Sequence, residues 1–159
     1  MNGAALLITV DEAFKETRLE AVLIGNAAAA LHGAPVTTLD LDFMFRKTTR
    51  HLAKLKEIAK TLEAQILRPY YPASDLFRVI NEDRGLQVDF MAAIHGVRSF
   101  AGLRARAQSV KLGGSDLLVA DLRDIIASKR AAGRARDLAV LEVLETTLRE
   151  KEKLKDGKT

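Results

Sequence analysis

The eight residues Thr38-Leu39-Asp40-Leu41-Asp42-Phe43-Met44-Phe45, "TLDLDFMF", decide how the rest of the chain is read. Their Leu, Met and Phe content predicts a strand. Strand side chains alternate between faces, so Asp40 and Asp42 share a face and stand as two like charges side by side. One reading makes them the wet edge of an amphipathic strand. Aspartate, however, is depleted in strands, and Thr, Lys or Glu suits a wet face better. The other reading makes them ligands for a divalent cation such as Mg²⁺. Such an ion takes carboxylate oxygens, keeps positions open for phosphate and water, and cancels the repulsion.

A third acid lies downstream. "LQVDFMAAI" (86–94) carries Asp89 inside an apolar run. A charge in a buried strand is costly unless it is paired or metal-bound. Either a salt bridge to one of the 25 basic residues or a metal answers that cost. Upstream, "AVLIG" (21–25) predicts a short buried strand ending at Gly25. "NAAAALHG" (26–33) predicts a short helix with Asn26 as N-cap and Gly33 as its stop. A strand, a glycine turn and a helix start present free backbone N–H groups to a phosphate. The alternative is a plain tight turn, since one glycine is a weak signal. Its position fifteen residues before the acids makes a DxD…D centre for phosphoryl or nucleotidyl transfer a coherent reading.

The remaining pattern alternates. Helices are expected over 2–20, 48–66, "FAGLRARA", 121–133 and 134–153, and strands over 75–81, 86–94 and in a hairpin about Gly113-Gly114. "RPYYPAS" is expected as a loop. This predicts one mixed α/β (α+β) domain over 1–150, with C-terminal helices and a charged, frayed tail over 151–159. Leu122, Ile125 and Ile126 make the apolar stripe of the helix over 121–133, and Lys129 falls four after Ile125. That lysine either snorkels to water or reaches into a site. Arg134, Arg136 and Asp137 read as surface ion pairs on their own. His32 is expected at a helix end, where a partly cationic ring suits the dipole.

Composition bounds the function. An apolar fraction of 48% and a charged fraction of 29% fit a globular chain with a real core. With no cysteine there is no disulfide framework and no zinc–thiolate site. No secretory leader and no apolar run of membrane-spanning length is visible, so a cytoplasmic protein without membrane association is expected. A net charge of +4 suits an anionic partner such as a nucleotide or nucleic acid. Aromatics at 5% with no Trp argue against a broad base-stacking platform.

Taken together, "IGNAAAALHGAPVTTLDLDFMF" followed by "VDF" resembles the nucleotidyltransferase fold of the DNA polymerase beta superfamily, a mixed sheet flanked by helices. "SKRAAGRARDLAVL" is similar to a second block of the bacterial nucleotidyltransferases related to abortive-infection type IV toxins. The resemblance covers roughly residues 20–145. It implies that Asp40 and Asp42 bind Mg²⁺ (or Mn²⁺) and that Asp89 completes the metal site and helps activate an acceptor hydroxyl. It further implies that Gly25, Asn26 and Lys129 hold the NTP phosphates, with Asp137 beside them. Two positions depart from the pattern. Asn26 stands where a second Gly or Ser is usual, and Val36 where an Arg is often found.

The expected activity is metal-dependent transfer of an NMP from an NTP to a hydroxyl acceptor, which is a small molecule, an RNA or a protein. The alternative is a catalytically inactive binding module of the same fold. The resemblance would set such a module in a toxin–antitoxin or defence pair with a partner protein.

Overall fold

The computed structural model describes residues 3–38 and 40–157. Its centre is a seven-stranded sheet in the order β3-β4-β5-β2-β1-β7-β6. The strands are β1 (Ala21–Ile24), β2 (Leu41–Phe45), β3 (Gln65–Leu67), β4 (Phe77–Asn81), β5 (Leu86–Met91), β6 (Gln108–Leu112) and β7 (Ser115–Val119). β2 runs parallel to β5 and β1 parallel to β7, while the other neighbours are antiparallel. The mixed sheet and flanking helices agree with the α/β (α+β) reading. β3 was not expected, and its three half-exposed residues carry too short a pattern to signal a strand.

Alternation along β2 and β5 separates a packing face from a working face. Phe43 and Phe90 stack at 5.7 Å and meet the edge of Phe14, whose centroid is 4.9 Å from Phe43. Phe14 comes from α1 (Gly3–Thr17), which packs beside α3 (Thr49–Thr61). Asp42 and Asp89, each the residue before one of these strand phenylalanines, therefore face away from that core, and α2 (Gly25–Leu31) and α5 (Leu122–Ala132) flank their side of the sheet. α4 (Phe100–Arg106) precedes the β6–β7 hairpin, and α6 (Ala135–Asp156) packs on α5. α6 thus carries helix into the charged tail as far as Asp156; Lys158 and Thr159 lie outside the described residues, as does Asn2 at the other end.

Two sequence expectations are corrected here. α2 begins at Gly25 with Ile24 in the capping position, so Asn26 lies inside the first turn and does not cap it. His32 is buried, and its partners make it a neutral ring: Nε2–H donates to the Ala120 carbonyl at 2.7 Å and Nδ1 accepts from Lys151 Nζ at 2.7 Å. Burial pushes its pKa down, and the nearby Lys151 adds to that against the Ala120 carbonyl and Asp121. The ring ties α2 to the end of β7 and to α6.

A depressed histidine pKa stabilises the fold above the unfolded value of 6.5 and loses that contribution as pH falls below it. His32 is therefore expected to lower the Tm as pH falls below 6.5, against Asp42, whose raised carboxyl works in the opposite direction below about pH 6. His32→Gln, which keeps a donor and an acceptor but does not titrate, should flatten part of that slope. His51, also depressed by burial and nearby cations, contributes in the same direction as His32. An unchanged slope in the variant would remove His32 from this role.

Candidate active site

The register of β1, β2 and β5 builds the centre. Asp42 stands between Ile24 on β1 and Asp89 on β5. Gly25, the next residue after Ile24, has φ +70°, and a Cβ there would lie 3.2 Å from Asp42 Oδ2. Glycine is thus required twice, for the left-handed backbone and for its closeness to the carboxylate. Burial pushes the Asp42 carboxyl up to about 6, and the charges of Asp89 and Asp40 add to the rise against Lys129 and Arg78.

Asp40 lies just before β2 and is exposed, with its N–H bonded to Thr38 Oγ1 at 3.0 Å. The strand expected from residue 38 begins at Leu41, and Leu39 is outside the described residues. Asp89 is 6% exposed and lies opposite Arg78 of β4. The guanidinium grips it with both arms, Nε to Oδ1 at 2.9 Å and Nη2 to Oδ2 at 3.1 Å. The cost of burying Asp89 is thus met in the structure by an arginine.

Across the cleft, Lys129 of α5 reaches inward with its side chain 13% exposed, its Nζ 3.8 Å from Asp137 Oδ1. Burial lowers the lysine pKa, and Asp137 opposes that. Asp137, at the start of α6, is buried and takes the Arg134 guanidinium at 2.6 Å and 3.3 Å. Burial by itself would raise the Asp137 carboxyl; the Arg134 hydrogen bonds and charge, with Lys129, outweigh it and hold the group below its ordinary range. Asn26 Oδ1 is buried without a hydrogen-bond partner.

All seven candidates, Gly25, Asn26, Asp40, Asp42, Asp89, Lys129 and Asp137, line one cleft of about 1240 Å³. Val36 packs against the core. Among the cleft residues not singled out from sequence are Arg78 and Tyr70. Arg78 had a signal: an arginine inside the apolar "DLFRVIN" is the counterpart that a buried Asp89 demands. Tyr70 belongs to an irregular segment whose pattern carries no period.

Among the described residues no group of three His, Cys, Asp or Glu side chains comes together to hold a metal ion. The donor chemistry nevertheless fits a divalent cation at Asp40 and Asp42. Asp42 is destabilised as an anion, Gly25 leaves its oxygen uncovered by a side chain, and neither acid is in an ion pair among the described residues. Asp89 differs, because Arg78 already bonds both its oxygens.

The family model described as "Nucleotidyl transferase of unknown function (DUF2204)" matches residues 4–158, and the chain belongs to this family. No curated protein matches it. Among solved structures, it is similar to ANT(2'')-Ia in complex with adenylyl-2''-tobramycin, at 16% identity and a TM-score of 0.67, covering 97% of this chain and 94% of that one. The lincomycin-bound lincosamide antibiotic adenylyltransferase LnuA gives 11% identity and a TM-score of 0.65, covering 90% and 96%. The protein TM1012 from Thermotoga maritima gives 20% identity and a TM-score of 0.58, covering 92% of each chain. At these identities the likeness shows the nucleotidyltransferase fold.

Proposed function

We propose that this member of the nucleotidyl transferase family moves an NMP from an NTP to a hydroxyl acceptor. The observation that carries the reading is the juxtaposition of Asp42 and Asp89 on the adjacent strands β2 and β5 with Gly25 at the end of β1, and the half-buried Lys129 facing them. In the reaction the acceptor oxygen bonds to the α-phosphorus. The bridging bond to the β-phosphate breaks, and pyrophosphate leaves with the electron pair. Lys129 and the Asn26 amide hold the departing phosphates, and Gly25 lets them lie against the strand end. Asp89, oriented by Arg78, faces the acceptor and takes up the hydroxyl hydrogen. Asp40 and Asp42 would hold Mg²⁺ or Mn²⁺, which when bound neutralises phosphate charge. The working unit is a single domain, since α6 returns Asp137 to the same cleft. No helix among the described residues is long and apolar enough to cross a membrane.

Two of the neighbours named above, ANT(2'')-Ia and LnuA, carry small antibiotics or their adenylyl derivatives in their structures, which makes a small-molecule hydroxyl one acceptor class. A second reading, a module that binds NTP without turnover, is favoured by one observation: the Arg78 fork on Asp89 leaves that acid less able to accept a proton. A thermal shift series separates the alternatives. Wild type should melt higher with NTP in the presence of Mg²⁺ or Mn²⁺, and the Asp40→Asn/Asp42→Asn variant should lose that metal-dependent gain. At a ligand concentration of 100 times Kd the expected stabilisation is about 2.7 kcal/mol. An NTP shift indifferent to metal and to the two aspartates would select the binding module, and no shift with any NTP would remove nucleotide from the site.

A further inference from the structure

One rung crosses four strands of the sheet: Ile24 of β1, Asp42 of β2, Asp89 of β5 and Arg78 of β4 stand side by side in register. Neighbouring strands lie about 4.8 Å apart. Asp89 therefore has an anion on one side and a cation on the other at similar strand spacing, and it takes the cation. Arg78 Nε meets Oδ1 at 2.9 Å and Nη2 meets Oδ2 at 3.1 Å, so both carboxylate oxygens are engaged. Asp42 is served from the other side of β2. Its Oδ2 lies beside Gly25, where a Cβ would come within 3.2 Å.

Two metal ions that share one reaction centre stand about 3.5–4 Å apart. Carboxylates between them must offset their repulsion, so Asp89 would have to close on the same ions as Asp40 and Asp42. Among the described residues no three such side chains come together in this way. An ion on Asp89 would either face the guanidinium, cation against cation, or displace it. Displacement is costly, because the Asp89 side chain is 9% exposed and that of Arg78 24%, and parting them strands a charge out of water. The hydrogen bonds to Asp89 push the Arg78 pKa up from its ordinary value against the effect of burial, so the guanidinium is a permanent cation there. In charge, one divalent ion and one guanidinium match the three carboxylates of Asp40, Asp42 and Asp89.

We infer that this centre takes one divalent ion, held by Asp40 and Asp42, and that the Arg78 guanidinium occupies Asp89 in place of a second. Arg78 is a positioning residue. It acts through Asp89, keeps both oxygens of that carboxylate from metal and holds the acid where the acceptor approaches. The inference rests on the nucleotidyl-transfer reading above and goes beyond it in the number of ions and in the part Arg78 plays.

The test counts ions with Mn²⁺ and does not depend on turnover. Metal-free full-length chain is mixed with an equimolar α,β-methylene analogue of each NTP in turn, and Mn²⁺ is titrated in under electron paramagnetic resonance, which separates free from bound ion. Wild type should retain one Mn²⁺ per chain, with the second equivalent left free. Arg78→Gln, which releases Asp89, should retain two, with the coupled spectrum of adjacent ions. Arg78→Lys, which keeps the positive charge, should return the count to one. Asp89→Asn should still retain one, since Asp89 is not a ligand in wild type. Two ions on wild type, loss of the ion in Asp89→Asn, or a single ion on folded Arg78→Gln would each overturn the inference and leave the transfer reading standing. Should Arg78→Gln fail to fold, the counts on wild type and Asp89→Asn decide the matter alone. A wild type that retains no Mn²⁺ with any analogue would overturn both.

Discussion

Asp42→Asn is expected to make the protein more stable at pH 7.5 and at least about 100-fold slower in nucleotidyl transfer, the scale of losing one preorganised electrostatic element. Both effects have one origin. Asp42 is held among Asp40 and Asp89 in a partly buried position, and its carboxyl is pushed from 3.8 to about 6. A raised carboxylate pKa means that the folded state keeps a proton which the unfolded chain releases. Stability therefore falls as pH rises through the window from 3.8 to about 6, and above it the full penalty is present. The difference corresponds to about 3 kcal/mol. Asparagine has the same shape and no charge, so it removes the penalty.

In chelator-treated buffer the variant should melt about 5–10 °C above wild type at pH 7.5, with the gap closing toward pH 4. Added Mg²⁺ and NTP should narrow the gap, because they stabilise wild type alone. Equal melting curves across the pH range would mean that the aspartates do not strain the fold. Full activity in the variant would remove Asp42 from the mechanism.

The strain at Asp42 also explains what the sequence could disclose. Period-two alternation in "LDFMF" and "LQVDFM" placed the phenylalanines on one face and the two acids on the other, and the register of β2 against β5 agrees with it. Gly25 was legible for the same reason, because a glycine at a strand end is a backbone requirement visible in one letter. Arg78 was only half legible. The demand for a counter-charge on Asp89 could be read, but which of many basic residues meets it depends on the pairing of β4 with β5, a non-local fact. The role of His32 failed for a related reason: the helix end was foreseen, while its contacts with Ala120 and Lys151 join residues 88 and 119 positions away. Asn26 was read from local capping statistics, but α2 already includes Gly25 and Asn26 Oδ1 takes no capping hydrogen bond. What stayed hidden was in each case a contact between distant segments; what local periodicity and backbone constraint could dictate was present in the letters.

Asp137→Ala should cost about 3 kcal/mol of folding stability, the largest loss expected from any single change at the cleft. Asp137 is 3% exposed and takes two hydrogen bonds from Arg134, with Lys129 Nζ at 3.8 Å. Removing one member of a buried ionic group leaves an uncompensated charge, which typically costs 3–5 kcal/mol. The lower end applies here, because the Arg134 side chain is 58% exposed and can turn to water. Lys129 cannot, since its side chain is 13% exposed and Asp42 is then the acid that still acts on it. Urea denaturation at pH 7.5 should show a lower midpoint with an unchanged slope.

The double variant Lys129→Met/Asp137→Ala discriminates the cause. If the cost lies in stranding the lysine, the double variant should be more stable than Asp137→Ala by 1 kcal/mol or more, a coupling expected for residues in contact. If the two changes simply add, the cost lies instead in the loss of the Arg134 bonds that fix the start of α6. The comparison also reads on function. A lysine released from Asp137 is free to follow an NTP phosphate, so Asp137→Ala should bind NTP at least as tightly as wild type even as its fold weakens, whereas the double variant should lose that affinity.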